Sequence, residues 1–209
     1  MDEVLTPKDG RGTAGEPEPI SWFPVTPETE LEPPERALFA KVRERTGAVP
    51  NVFRAYAWRP ERLRAWFAHF REVMRPTPGL GAREREMISV AVSMTNGCLY
   101  CLVAHGAALR ELSDDPVIAD RLTLDYRRVA LPERERAMLD YAVKLTRDPV
   151  HCDAADLERL RQLGFSREEV WDIIEVTAMF NFTNRLAMGS GMLPNREDHA
   201  RCRERRDGV

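Results

Sequence analysis

Two cysteines separated by a single helical turn are the residues of this chain best suited to chemistry. Cys98 and Cys101 directly follow Asn96–Gly97, a pattern that indicates the start of a new helix. Side chains three positions apart lie on one helical face with Cβ atoms about 5–6 Å apart, so a small adjustment closes a disulfide. The positive end of the helix dipole also favours the thiolate, which attacks peroxides and disulfides. The pair therefore predicts a redox-active dithiol.

Two further residues are spaced to manage the thiol proton. His105 lies one turn beyond Cys101 on the same helical face, where an imidazole can accept that proton. Glu86 lies on the preceding predicted helix, and a carboxylate there could orient the histidine and stabilise its charged form. The stripe that continues from Glu86 is expected to be buried and to end beside the cysteines: Val90, Ser93 and Gly97.

The same residues also admit a metal-binding interpretation. Cys98, Cys101 and His105 are three soft ligands, and Glu86 could be a fourth, which is a possible set for zinc. Structural zinc sites usually draw their ligands from two separated pairs, and the sequence has no second pair. A thioredoxin fold would need a βαβ pattern, which is missing. We therefore expect redox chemistry with no metal ligand among the site residues.

Composition and charge limit the partner classes and the cellular compartment that are expected for this chain. The chain has 209 residues and a formal net charge of −3, and no basic stripe predicts a nucleic-acid partner. No apolar run approaches the roughly 18 residues that a membrane span needs. The acidic first residues do not resemble a secretory signal. These features predict a cytoplasmic protein, and structural disulfides are rare in that compartment.

Helical periodicity predicts an all-α bundle, with one helical domain at residues 34–195. Seven of the fifteen prolines fall in residues 1–34, so residues 1–33 are predicted to form a disordered or surface-wrapped arm, pinned by Trp22 and Phe23. A polar tail is expected at 196–209. Turn and capping signals place the helices at these approximate positions: 34–46, 50–58, 60–74, 82–95, 98–112, 115–128, 132–147, 153–163 and 166–187.

Other chemically capable side chains are weaker candidates. Cys152 and Cys202 have no partner nearby in sequence, and we interpret them as a half-buried thiol and a tail thiol. His69 lies among aromatic residues and is expected to pack at a helix face. Three polar residues fall in an apolar late segment, where they need hydrogen-bond partners and either tie helix ends together or line the pocket: Asn181, Asn184 and Arg185.

The motif resembles that of a known family. Glu86, Cys98–Leu99–Tyr100–Cys101 and His105 match the spacing of the alkylhydroperoxidase D-like family, within the carboxymuconolactone decarboxylase-like superfamily. The flanks resemble the peroxidase-related branch of that family, and the resemblance covers roughly residues 34–195. Two flanking segments contribute to it: Val49–Phe53 and Phe180–Ala187.

This resemblance implies an all-helical protein that assembles as trimers or hexamers and reduces peroxides without metal or haem. It implies that Cys101 is the peroxide-attacking thiolate, and that Cys98 is the resolving and more exposed sulfur. His105 would accept the proton, with Glu86 acting on it, and a dithiol reductant or redox partner protein would reset the pair. The best-characterised members carry a histidine where this chain has Tyr100, which removes one nearby proton acceptor. The remaining alternatives are a dithiol–disulfide exchange protein that feeds a separate peroxidase, and a metal-binding CxxC module.

Overall fold

A computed structural model describes residues 19–204, which form nine α-helices with short connections. The α-helices are α1 (Pro33–Thr46), α2 (Asn51–Tyr56), α3 (Pro60–Val73), α4 (Ala82–Asn96), α5 (Leu99–Ser113), α6 (Ile118–Asp125), α7 (Glu133–Arg147), α8 (Ala154–Gln162) and α9 (Arg167–Gly189). Four 3-10 helices accompany them: Glu28–Glu30, Tyr126–Arg128, Pro149–His151 and Arg196–His199. No strand occurs in residues 19–204, so the predicted all-α fold is confirmed.

Helix α4 is the centre of the bundle, because α5, α6, α7 and α9 all pack against it. The seven consecutive residues Met87–Ser93 are buried. A helix that is buried all round must be apolar or carry small, satisfied hydroxyls. The Ser89 hydroxyl meets this need by donating to the Arg85 carbonyl at 2.7 Å. The main core therefore surrounds the helix that carries Glu86.

The connection between α4 and α5 is only two residues long. Gly97 ends α4 with a φ of 71°, in the left-handed region that glycine adopts without strain. The Cys98 N–H then donates to the Ser93 carbonyl at 3.0 Å, a bond that closes a helix end in the Schellman manner. Cys98 becomes the N-cap of α5, and its carbonyl accepts from Leu102 at 3.0 Å. The sequence predicts a helix break at Asn96–Gly97, and in the structure this break is a tight turn, the α4–α5 corner, formed by Gly97 and Cys98.

The predicted helices agree closely with the observed ones, with three differences in detail. Gly97 is exposed rather than buried, because a left-handed helix cap faces outward. His69 is exposed on α3 rather than packed, although its aromatic neighbours in sequence do pack. The helix expected at 115–128 is an α-helix only to Asp125 and continues as the 3-10 turn Tyr126–Arg128.

A second layer of helices lies over the corner. Helices α1 to α3 share a small core of their own, in which Phe53 packs edge-on against Phe39 and Phe67. Helix α2 also contributes to a third core that contains both cysteines. The buried members of this third core are Ala55, Cys98, Tyr100, Cys101, Ala187 and Met192.

The proline-rich arm is described from residue 19 onward, and residues 1–18 lie outside the described part. Trp22 donates its backbone N–H to the Ser190 carbonyl at 2.9 Å, and its ring lies over Gly191, where a Cβ would collide with it. Phe23 stacks on Trp58 with ring centroids 5.9 Å apart. Ile20 packs against the core that holds the cysteines. The described part of the arm wraps the surface, and both aromatic residues contact the helical body.

The segment expected to be a polar tail is also built into the fold as far as residue 204. The 3-10 helix Arg196–His199 packs on α5. Buried Arg110 holds this segment by donating to the carbonyls of Asp198 at 3.0 Å and Arg201 at 2.9 Å. Sequence reasoning missed this contact because it joins residues about 90 positions apart. Residues 205–209 lie outside the described part.

A reciprocal asparagine clasp fixes the same segment to α2. The Asn195 side chain accepts from the Asn51 N–H at 2.7 Å and donates to the Val49 carbonyl at 3.1 Å. Asn51 in turn donates from its side chain to the Leu193 carbonyl at 2.9 Å. The clasp holds the start of α2 in place over the cysteine core.

None of the helices within residues 19–204 has the length and apolar character needed to cross a lipid bilayer.

Removal of the clasp should destabilise the protein. Asn195→Ala leaves the Asn51 N–H and the Val49 carbonyl without their partners, and we expect the free energy of unfolding to fall by about 2 kcal/mol. Urea denaturation followed by circular dichroism measures this change. Arg196→Ala, at the exposed neighbouring position, is the control and should change stability by less than about 0.5 kcal/mol. Equal stabilities for the two variants would contradict a structural role for the clasp.

Candidate active site

Both cysteines lie at the α4–α5 corner, at the first turn of α5, and both are buried. Cys98 is 1% exposed and Cys101 is 2% exposed, and both are free thiols. The two residues are almost equally inaccessible in the isolated chain, and the expectation that Cys98 is the more exposed sulfur stays a prediction. Residues of α2 and the end of α9 cover the pair, so a reactant has to be small or has to move this cover.

Hydrogen bonding between the two thiols separates their acidities. The Cys101 thiol hydrogen-bonds to the Cys98 sulfur, which lowers the pKa of Cys98 to about 7 despite the opposing effect of burial. The backbone N–H groups of Cys101 and Tyr100 contribute, although the Cys98 sulfur makes no conventional N-cap hydrogen bond. The pKa of Cys101 is raised because this thiol donates to Cys98 and is buried. As the pH rises through neutrality, the first proton to leave the pair is therefore lost from Cys98, and the negative charge that forms rests on Cys98.

His105 and Glu86 meet directly across the α4–α5 interface. The His105 Nδ1 atom lies 2.8 Å from Glu86 Oε2, with only 16% and 13% of the two side chains exposed. A carboxylate only accepts hydrogen bonds, so Nδ1 carries a proton and Nε2 remains as the acceptor. His105 is close enough to the pair that its positive charge lowers the pKa of Cys98. The structure thus brings together all four residues that the sequence singled out.

Aromatic rings fix the plane of the imidazole. The Phe180 ring meets His105 edge-on, with centroids 4.6 Å apart and an interplanar angle of 89°. Phe70 lies on another side at 6.2 Å. These rings limit the water around His105 and strengthen its interaction with Glu86. Sequence analysis did not assign either phenylalanine to the site, because each comes from a helix distant in sequence.

Tyr100, between the two cysteines, performs a structural task. Its phenol oxygen accepts a hydrogen bond from the Val52 N–H at 3.2 Å, so it ties α5 to the start of α2. Burial raises the pKa of Tyr100, which keeps the phenol protonated. The residue between the two cysteines is therefore a packing residue.

A buried polar network lies behind Cys101. The nearby polar side chains of Asn184 and Ser93 lower the pKa of Cys101, against the larger raising effects of Cys98 and burial, and Asn184 donates to the Ser93 hydroxyl at 3.0 Å. Asn96 donates to the side-chain oxygens of Asn184 at 2.9 Å and of Asn181 at 3.1 Å. The two interpretations of the late asparagines, helix-tying and pocket-lining, are both met: Asn181 ties α9 to α4, and Asn184 reaches the site.

A second carboxylate near the site comes from the C-terminal segment. Asp198 lies in the 3-10 helix that packs on α5, with Arg201 at 3.3 Å. Burial raises the pKa of Asp198, and the positive charges of Arg201, His105 and Arg110 oppose this effect. Nothing in the sequence pattern marks Asp198, because its position depends on contacts of Arg110 with distant carbonyls.

The other candidates lie outside this group. Cys152 and Cys202 are partly exposed and unpaired, as expected. The Arg185 guanidinium donates hydrogen bonds to two oxygens of Asn181, the backbone carbonyl at 2.7 Å and the side-chain Oδ1 at 2.9 Å. Among residues 19–204, no three His, Cys, Asp or Glu side chains are grouped so that they could hold a metal ion.

Comparisons with known proteins identify relatives along nearly the whole chain. The Carboxymuconolactone decarboxylase family model matches residues 60–117, which contain all four predicted site residues. The structure is similar to that of an uncharacterized peroxidase-related protein with an alkylhydroperoxidase AhpD core from Ralstonia eutropha JMP134. The two sequences are 42% identical, the match covers 90% of this chain and 99% of that chain, and the TM-score is 0.87.

Two further comparisons extend this result. An uncharacterized peroxidase-related protein from Silicibacter sp. TM1040 is 42% identical, with 91% of this chain and 100% of that chain covered and a TM-score of 0.86. The debrominase Bmp8 is only 17% identical, with 88% of this chain and 95% of that chain covered and a TM-score of 0.68, so it shares the fold alone. No curated protein matches the chain at a significant level.

The acidity of Cys98 should depend on its neighbour. Replacing Cys101 with alanine removes the S–H donor, so the pKa of Cys98 should rise from about 7 toward its ordinary value of 9.0. The pH dependence of iodoacetamide labelling, resolved by peptide mass spectrometry, measures this pKa. Cys152→Ala is the matched control and should leave the Cys98 midpoint unchanged. A midpoint near 9 in the unmodified protein would contradict the charge distribution described above.

Proposed function

Because this chain belongs to the peroxidase-related branch of the alkylhydroperoxidase D-like family, we propose that it is a cysteine-based peroxidase. Its substrates are hydrogen peroxide or organic hydroperoxides, and its working parts are a CxxC dithiol and a Glu–His proton relay. The observation that supports the proposal is that the cysteine pair and the His105–Glu86 pair lie together at the buried α4–α5 corner. A dithiol with one acidic member lies beside a histidine whose Nδ1 is held by a carboxylate.

The first step of the proposed cycle breaks the peroxide bond. The Cys101 sulfur, following the family resemblance, attacks one peroxide oxygen as a thiolate. The O–O bond breaks, a sulfenic acid forms on Cys101, and the departing alkoxide or hydroxide takes a proton from His105. In this scheme His105 holds the proton that Cys98 released, and the Cys101 proton moves along its hydrogen bond to Cys98 before the attack.

The second step forms the disulfide. Cys98 gives its proton to His105 and its sulfur attacks the Cys101 sulfenic acid. The S–S bond forms, and the departing hydroxide takes that proton from His105 and leaves as water. The net reaction converts two thiols and one hydroperoxide into a disulfide, an alcohol and water. An external dithiol then reduces the disulfide and becomes oxidised itself. His105 accepts and returns a proton in each step, and Glu86 stabilises its charged form.

Burial of the pair favours a small oxidant over a protein disulfide. Thiol–disulfide exchange needs the attacking sulfur to reach the target sulfur in line, and both sulfurs here are nearly inaccessible. A peroxide of a few atoms meets this limit more easily than a folded partner. The same limit applies to the external dithiol that reduces the disulfide, which has to be small or has to move the cover formed by α2 and the end of α9.

Trapping of the sulfenic acid tests which sulfur attacks. In Cys98→Ser protein the sulfenic acid on Cys101 has no resolving thiol, so dimedone should label Cys101 after one equivalent of peroxide. Cys101→Ser protein should not be labelled at Cys98 and should not consume peroxide. The unmodified protein should lose two thiols rapidly and show a Cys98–Cys101 disulfide in the peptide map. Labelling only in the Cys101→Ser protein would make Cys98 the nucleophile, and no thiol loss with peroxide would leave exchange or metal binding as the function.

The relay is tested separately by removing the charge of Glu86. Glu86→Gln keeps the shape of the side chain but no longer stabilises the imidazolium, so the rate of peroxide reduction should fall by about tenfold to a hundredfold. Stopped-flow measurement of peroxide consumption detects this change. Glu84→Gln, on the same helix but beside Arg83 rather than His105, should react at the rate of the unmodified protein. Equal rates for both variants would remove Glu86 from the mechanism.

A further inference from the structure

The strap, residues Ile20–Phe23 of the proline-rich arm, lies across the C-terminal end of α9. Its backbone pairs with the residues that follow this helix. The Leu193 N–H donates to the Ile20 carbonyl at 3.0 Å, and the Trp22 N–H donates to the Ser190 carbonyl at 2.9 Å. These bonds run in both directions between the two segments, so the strap has a defined position on the helical body.

Ser21 fixes the course of the strap between these two bonds. Its buried hydroxyl donates to the Ser190 carbonyl at 2.8 Å and accepts from the Phe23 N–H at 3.2 Å. A serine hydroxyl that bonds the N–H two residues ahead closes a compact turn. The residues on either side of Ser21 therefore meet different surroundings, since Ile20 packs inward and Trp22 remains exposed.

The strap lies over the core that contains both cysteines. Ile20 packs against this core. The residues to which the strap is hydrogen-bonded, Ser190 and Leu193, lie on either side of Met192 in the sequence, and Met192 is a buried member of the same core. Displacement of the strap therefore removes one layer over the core and releases the chain on both sides of Met192.

The outer contacts of the strap are made by exposed rings. Trp22 rests on Gly191, and Phe23 stacks on the exposed ring of Trp58. Rings that remain partly in water gain less from their contacts than buried side chains do. Helix α2, another part of the cover, is held by buried Phe53 and by the asparagine clasp. Since segments with few buried apolar contacts open first, the strap opens at a lower cost than α2.

The reduction step of the proposed cycle needs such an opening. The disulfide of a buried pair has to be reached by an external dithiol, which is larger than hydrogen peroxide and has to approach the target sulfur in line. We propose that the strap opens locally as a unit and so admits the external dithiol to the Cys98–Cys101 disulfide. This inference rests on the proposed peroxidase function. The chemistry is unchanged: the dithiol is oxidised to a disulfide, and both cysteines return to thiols.

The strap therefore separates the two halves of the cycle by the size of the reactant. With the strap closed, a peroxide of a few atoms reaches the dithiol. With the strap open, the dithiol reductant reaches the disulfide. A change that weakens the strap should speed reduction of the disulfide and leave the reaction with hydrogen peroxide unchanged.

Trp22→Ala tests the strap, because it removes the ring that rests on Gly191 and keeps the backbone bonds. The disulfide is formed beforehand with diamide, and its reduction by dithiothreitol is followed by quenched alkylation and peptide mass spectrometry. The rate should rise about tenfold, the change expected in the open population when one partly exposed aromatic contact is lost. Phe23→Ala, which removes the stack on Trp58, should act in the same direction and is the second variant if Trp22→Ala does not fold.

Trp171→Ala is the matched control. Trp171 is 63% exposed, compared with 58% for Trp22. It lies in the first turns of α9, about 24 Å along the helix axis from Ala187 in the cysteine core. Its replacement should leave the rate of reduction unchanged. Equal rates for the Trp22 and Trp171 variants, with native circular dichroism for both, would overturn the inference. An equal rise in the reactions with hydrogen peroxide and with dithiothreitol would also overturn it.

Amide hydrogen exchange shows whether the strap opens as a separate unit. In the Trp22→Ala protein, the amides of residue 22 and Leu193 should lose protection together, because both bond across the strap. The Phe53 amide, which donates to the Pro50 carbonyl within α2, should keep its protection. Loss of protection at Phe53 to the same extent would mean that the whole cover opens together, and the strap would then not be a gate.

The outcome is separable from that of the proposed function, since diamide forms the disulfide without peroxide. If the protein does not consume peroxide but Trp22→Ala still speeds reduction of the diamide-formed disulfide, the peroxidase proposal fails and the gate is supported. If peroxide is consumed and the rate of reduction does not respond to the strap variants, the gate is refuted and the peroxidase proposal stands.

Discussion

The two-residue connection between α4 and α5 is the constraint on which the site depends. Gly97 allows the chain to reverse within one left-handed residue, and Cys98 starts the next helix at once. Since the two helices then run back along each other, Glu86 and His105 face one another although they lie 19 residues apart in sequence. A longer connection would leave their relative position undefined. The same corner places both sulfurs at the positive end of α5.

Burial and hydrogen bonding oppose each other in the pKa of Cys98 and act together in the pKa of Cys101. Removal from water disfavours a thiolate, and it raises the pKa of both cysteines. Hydrogen bonding overcomes this effect at Cys98, whereas the hydrogen bond that Cys101 donates to Cys98 raises the pKa of Cys101 further. A site that is both dry and lined with fixed donors keeps one negative charge and resists a second. The pair therefore titrates as a unit, in which the position of one proton distinguishes the two sulfurs.

Much of the fold was predictable because local signals decide it. Gly47, Pro60 and the Ser166 capping box each end or begin a helix near the expected position. The motif residues were also predictable, since their spacing alone places Cys98 and Cys101 on one helical turn. The remaining parts of the site depend on contacts between distant segments. In the sequence, Asn184 stands out only as a polar residue in an apolar stretch, and no pattern distinguishes Asp198 from other surface carboxylates.

The arrangement of the cover has a consequence for the modularity of the chain. The segment at 60–117 that matches the family model contains every residue of the motif. The walls of the site come from elsewhere: Val52 and Ala55 precede this segment, whereas Phe180, Asn184 and Met192 follow it. A fragment cut at those boundaries would keep the reactive groups and lose their enclosure. The motif therefore lies within one short stretch of sequence, whereas the residues that enclose it come from segments on both sides of that stretch.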